Sequence, residues 1–133
     1  KVKKGSQTDH ISAFWDILPT FSALVDEELE EPIDGISFLP TLLGEGGQPT
    51  HSHLYWEFHE KGGKQAVRKG KWKGIKRDVF KGNETILLYN LEEDPGETTD
   101  LAQDHPDVVK EIKLLMEKSR VEDPEWPFDA KIK

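Results

Sequence analysis

The stretch from residue 53 to 91 constrains this chain most. There, short apolar–polar alternations are parted by glycine turns, and one amphipathic helix follows. In LYWEFH (54–59), Leu54, Trp56 and Phe58 alternate with Tyr55, Glu57 and His59, the period-two pattern of a strand. Glu60-Lys61-Gly62-Gly63 is a turn signal. Residues 64–68 and 71–76 read as two further strands parted by Lys69-Gly70, with Trp72 and Ile75 as the apolar members of the second. Residues 78–85 form a loop around Gly82-Asn83. Residues 86–91 (ILLYNL) are the most apolar strand and are expected at the centre of the sheet. A meander of this kind leaves one face that needs cover. The helix predicted over 106–120 supplies it, with Val108, Val109, Ile112, Leu115 and Met116 as one apolar stripe. Pro106 suits its first turn, Asp107 complements the dipole there, and Lys118 and Arg120 sit at the favourable far end. The expected core is Trp56, Trp72, Leu88, Ile112 and Leu115.

Upstream, residues 8–25 read as helix, with Ile11, Phe14, Trp15, Leu18, Phe21 and Leu24-Val25 near 3.6-residue spacing. Pro19 marks a kink or the first turn of a second helix. The acidic run 26–31 is a solvated linker. Residues 34–44 (DGISFLPTLLG) read as a turn and a short helix that Gly44 stops, and 44–53 as a loop. In the tail 123–133, Trp126-Pro127-Phe128 either pins the chain back on the body or leaves it to fray. The fold class is α+β: an antiparallel sheet of about four strands packed on a C-terminal helix, with helical segments before it.

The 133 residues fit one domain or a piece of one. The first residue is not Met, so the chain is expected to start inside a longer one. No apolar run approaches the ~18–20 residues of a membrane span, and no apolar stretch follows the basic start Lys1–Lys4 as a signal peptide would require. The absence of Cys excludes disulfides, Cys-ligated zinc and Cys nucleophiles. The net charge is −8, but residues 61–81 hold nine bases against one acid, Asp78. That stripe is a solvated face or a site for an acidic ligand. The acidic flanks would repel a long polyanion, so no nucleic-acid partner is expected. His51 and His53 lack a third ligand nearby, and no metal residues are assigned. His10 and His105 read as structural. His59, at a strand end beside a Gly-Gly turn and two residues from Glu57, is the best functional histidine. Glu92, Glu93, Asp94, Glu97 and Asp100 are turn chemistry. No nucleophile, base and oxyanion set is complete, so no catalytic residue is assigned.

Four segments in order resemble a known family. They are DHISAFWDILPTFSAL (9–24), with its D-x-x-P-T at Asp16, Pro19 and Thr20; DGISFLPTLLG (34–44); LYWEFHEKGGKQAVRKGKWK (54–73); and LYNLEEDPGETTDLAQDHP (88–106). The set resembles the C-terminal region of the formylglycine-dependent sulfatases of bacterial arylsulfatase type, in the alkaline-phosphatase-like superfamily. The resemblance implies that residues 1–33 are the tail of a large α/β domain and 34–133 a C-terminal subdomain. It implies a parent enzyme, periplasmic or secreted, that hydrolyses sulfate monoesters with a formylglycine nucleophile and Ca²⁺. The motifs that carry both do not occur here, so no cofactor is expected in this chain, which alone should be inactive. The implied partners are an N-terminal catalytic domain and a sulfated sugar or aryl sulfate. Glu57, His59, Lys64, Gln65 and Arg68 are the substrate-binding candidates. The alternative function is a stand-alone module that binds an acidic ligand through the 61–81 stripe.

Overall fold

The computed structural model describes residues 1–30 and 32–128; the end of the expected tail, 129–133, lies outside the described residues. The chain divides into two compact units, the first spanning Lys1–Ser52 and the second starting at His53.

The second unit is a four-stranded antiparallel meander, β1 (Leu54–Phe58), β2 (Lys64–Lys69), β3 (Trp72–Arg77) and β4 (Ile86–Asn90), in the order β1-β2-β3-β4. Helix α3 (Pro106–Ser119) lies across one face. Register explains which face. Tyr55, Val67, Gly74 and Leu88 lie opposite one another across the four strands. Val67 and Leu88 are fully buried with Ile86, Ile112 and Met116, and Tyr55, Trp72, Val108, Val109 and Leu115 pack around them. Gly74 is the point of closest approach. A Cβ there would sit 2.4 Å from Cγ2 of Ile112, so glycine lets the helix settle on the strand.

Two expectations are corrected by this register. Trp56 is not in the core, because side chains alternate and Tyr55 takes the helix side. Trp56 and Phe58 face the other way, and Phe58 is 47% exposed. Trp72, Leu88, Ile112 and Leu115 do join the core. β4 is an edge strand and not the central one. Its apolar character is met by α3 on its face and by a loop on its rim. Leu101 N–H donates to the Leu88 carbonyl at 2.8 Å, and Asp100 Oδ1 accepts from Leu88 N–H at 2.9 Å. These bonds occupy an edge that would otherwise invite a foreign strand.

The turn chemistry around the sheet follows the sequence. Asp94 accepts from the N–H groups of Thr98 and Thr99. Gly63 adopts φ +75°, and a Cβ there would strike the Phe80 ring at 2.8 Å. The 3-10 turn Val79–Lys81 can therefore dock on the β1–β2 turn, with Val79 N–H donating to the Gly63 carbonyl. His53 Nε2 lies 2.7 Å from Ser119 Oγ, joining the start of β1 to the end of α3. His105 packs on Trp72, ring centroids 4.7 Å apart.

In the first unit, a 3-10 turn at Phe14–Asp16 leads into α1 (Ile17–Val25), and α2 (Leu39–Leu43) follows. The predicted helix begins later than its periodicity suggested, because residues 8–13 are not helical. Pro19 falls in the first turn of α1, where its missing N–H costs nothing. Gly44 ends α2 in the left-handed conformation.

Gly74→Ala should lower stability by about 1–3 kcal/mol, the usual cost of forcing an extra carbon into a packed core. Gly96→Ala, whose Cβ would meet nothing nearer than 3.5 Å, should stay within about 0.5 kcal/mol of the parent. Urea unfolding of both variants checks the contrast.

Candidate functional site

Beyond Val67 on β2, the helix-side positions of the sheet turn polar. Gln65 follows Val67 by parity, and Glu57 follows Tyr55 and lies opposite Gln65. Gln65 Nε2 donates to the Tyr55 hydroxyl at 2.8 Å, and that hydroxyl donates to Glu57 Oε1. Arg120, just past the end of α3, brings its Nε to 3.0 Å from the same carboxylate oxygen. His59 Nε2 lies 3.9 Å from Glu57 Oε2. The side chains of His59, Glu57 and Arg120 are only 14%, 19% and 14% exposed. Burial, together with the bond to Glu57, pushes the Tyr55 phenol well above its ordinary value despite the opposing pull of Gln65 and Arg120. Tyr55 is thus a neutral donor at any physiological pH.

The five candidates from the sequence divide between two faces. Glu57, Gln65 and His59 belong to this cluster. Lys64 and Arg68 project from the opposite face of β2, since they alternate with Gln65 and Val67. Lys64 Nζ sits 5.4 Å from the Phe58 ring centroid, and Arg68 Nε donates to the Gly70 carbonyl. Arg68 therefore faces away from Glu57, whose cationic partner is Arg120. Sequence reasoning missed Arg120 as a site residue because it lies 63 positions from Glu57, and its only local signal was a cation at a helix end.

The basic stripe is also divided. Lys69 pairs with Glu111, Lys73 with Glu97, and Lys81 with Asp78. Lys76, 8% exposed, lies 3.5 Å from Glu84, which Lys113 shares. Among the described residues no group of three or more His, Asp or Glu could hold a metal ion.

A second polar hub, also missed, lies in the first unit. Asp16 is fully buried. Its Oδ2 accepts from Ala13 N–H at 2.7 Å, and its Oδ1 accepts from Ile36 N–H and faces His51 Nε2, each at 2.8 Å. Thr20 donates to the Asp16 carbonyl and accepts from Phe38 N–H. Gly35 makes the approach possible, since a Cβ there would lie 2.2 Å from the Trp15 carbonyl oxygen. Asp16 and Thr20 of the D-x-x-P-T motif thus bind the following Asp34–Gly44 segment to α1. Burial alone would raise the Asp16 carboxyl, but the Ala13 and Ile36 N–H groups and His51 overcome it and hold it below its ordinary value.

A four-stranded meander under one helix, with a polar cluster at one end, defines an α+β subdomain. No family model matches the chain. It is 30% identical, over an alignment of 136 residues, to arylsulfatase A of Bos taurus, covering 81% of this chain and 27% of that protein. It is 32% identical over 130 residues to the N-acetylgalactosamine-6-O-sulfatase of Bacteroides thetaiotaomicron, covering 88% of this chain and 25% of that one. The solved structure of a 2-O GAG sulfatase matches with a TM-score of 0.68 at 28% identity, covering 78% of this chain and 23% of the other. The chain spans about a quarter of the length of these relatives. By these matches the chain is a sulfatase-derived fragment.

Asp16→Asn should cost about 1–3 kcal/mol at pH 7, because three donors lose a charged acceptor. The folded carboxyl is depressed, so its contribution is complete above the unfolded value near 3.9 and fades as pH falls below it. Chemical denaturation at pH 7 and pH 3 should show the gap between parent and variant narrowing in acid. An equal gap at both would contradict the assignment.

Proposed function

We propose that this chain is the C-terminal part of an enzyme that hydrolyses sulfate monoesters, supplying scaffold and part of the substrate-facing wall. The observation that carries the reading is sulfatase similarity over most of the chain. Formylglycine and Ca²⁺ do not fit the residues here. The chain has no Cys and no Ser in the C/S-x-P-S/A-R pattern that carries formylglycine, and no described cluster suits a cation. Both would be supplied by a catalytic domain N-terminal to this chain.

The exposed side of α1 supports such a partner. Phe14, Leu18, Phe21 and Leu24 are 57–85% exposed, and with Ile33 and Pro32 most of them line an open apolar groove. An apolar surface of this extent is what a partner covers. No described helix is long and apolar enough to cross a membrane, and we infer export of the parent to the periplasm or medium from the family resemblance alone. The stand-alone acidic-ligand module is not favoured. Sulfatase matches account for most of the chain, and several bases of the stripe already meet carboxylates.

The substrate in this reading is a sulfated sugar or aryl sulfate. Of the five candidates, Glu57, His59 and Gln65 share one cluster with Tyr55 and Arg120, and we assign substrate contact to that cluster. Lys64 and Arg68 are assigned to the opposite face and to a supporting role.

The 133-residue chain alone should not turn over a chromogenic aryl sulfate above a boiled control. The intact enzyme should turn it over and lose activity to a calcium chelator. In the intact enzyme, His59→Ala should raise KM roughly 10- to 150-fold, the loss of one charge-assisted hydrogen bond, whereas Arg68→Ala should leave KM within about twofold. A lowered melt with unchanged kinetics for His59→Ala would assign that residue to structure instead.

A further inference from the structure

The chain past α3 closes over the polar cluster. Residues 121–128 form neither helix nor strand. Asp123 Oδ1 accepts from the N–H groups of Glu125 and Trp126, making a preformed turn, and Pro124 and Pro127 stiffen the segment further. The far end lands on the cluster. Phe128 meets the His59 ring edge-on at 5.0 Å between centroids and the Phe80 ring at 4.9 Å, and Trp126 lies 5.4 Å from His59. The Arg120 guanidinium sits over Phe128 at 5.6 Å and pairs with Glu122.

Two observations separate this cover from an ordinary packed tail. Its outer side is open, with Val121 85% and Trp126 61% exposed. It also packs on a polar atom that it does not satisfy. Among the described residues His59 Nδ1 is buried with no hydrogen-bond partner, while Arg120 Nη1 is met by the Glu122 carboxylate. A buried polar atom left unpaired is costly, and here the cost is relieved when the cover lifts and water or a ligand hydroxyl reaches the imidazole. The groups beneath are already aligned by their own bonds, Gln65 to Tyr55, Tyr55 to Glu57, and Glu57 to Arg120.

We infer that residues 121–128 are a strap over the Tyr55–Glu57–His59–Gln65–Arg120 cluster, and that a ligand engages the cluster only when the strap lifts. Phe128 is the latch, since it touches His59, Phe80 and Arg120 together. The inference rests on the proposed substrate role of the cluster for the identity of the ligand, but not for the motion. If the open form is a minor fraction, apparent affinity falls by that fraction, and loosening the latch restores it.

The test uses the 133-residue chain. In hydrogen exchange, the strap amides should lose protection roughly 100-fold faster than those of β2 and β3. Acylation of His59 by diethyl pyrocarbonate, read by mass spectrometry against His105 as internal standard, should be about tenfold faster in Phe128→Ala, and faster also in the milder Trp126→Ala, with the sheet melt unchanged. Strap amides as protected as the sheet, or a His59 rate unmoved in both variants, would overturn the strap. Affinity for N-acetylgalactosamine 6-sulfate, followed by NMR titration, should rise by the same factor as the His59 rate. A faster His59 rate with no sugar binding in any variant upholds the strap and removes the substrate reading on which the ligand's identity rests.

Discussion

The contact of Ile112 with Gly74 organises the second unit. One strand position without a side chain lets α3 lie directly on β3, and this choice of row decides the orientation of every neighbouring side chain in the sheet. Val67 and Leu88 must then face the helix, and so must Tyr55. Period-two geometry carries the choice outward. Gln65 and Glu57 fall on the helix side, beyond the reach of the apolar core, while Lys64 and Arg68 fall on the other. The polar cluster is therefore a consequence of core packing. Its acid, Glu57, is kept by Arg120 because α3 ends beside it.

Much of this fold was legible. The strands, their meander order, the helix from Pro106 and its stripe all follow from periodicity and turn residues. What the pattern could not decide was the facing of β1. Its two alternating sets are Leu54, Trp56 and Phe58 against Tyr55, Glu57 and His59, and hydrophobicity favours the first. The core under the helix took Tyr55 instead, because Glu57 and Gln65 satisfy its hydroxyl and make its burial tolerable, while Leu54 is buried on the opposite face. The edge position of β4 escaped prediction for a related reason. Its rim is occupied by the hydrogen bonds of Asp100 and Leu101, from the loop that follows it, which no hydropathy pattern records.

The candidate site was legible in part. His59, Glu57 and Gln65 were named from one hairpin, since local pairing is readable from a turn. Arg120 and the strap come from the other end of the chain, and only tertiary structure brings them in. The Asp16 hub is similar. The D-x-x-P-T motif marked its residues, but the N–H groups it receives, at Ala13 and Ile36, and its partner His51 are set by how Gly35 meets the Trp15 carbonyl. Both polar hubs join segments distant in sequence, and both use a carboxylate whose charge is met inside the protein.

The facing of the sheet is the central claim, and the lack of Cys makes it directly measurable. Single-cysteine variants at Lys64, Gln65, Val67 and Arg68 can be labelled with a thiol reagent under native conditions, against the same variants in urea. Protection is expected at 65 and 67, which are 7% and 0% exposed, and ready labelling at 64 and 68. Labelling at 65 and 67 with protection at 64 and 68 would place α3 on the other face and contradict it.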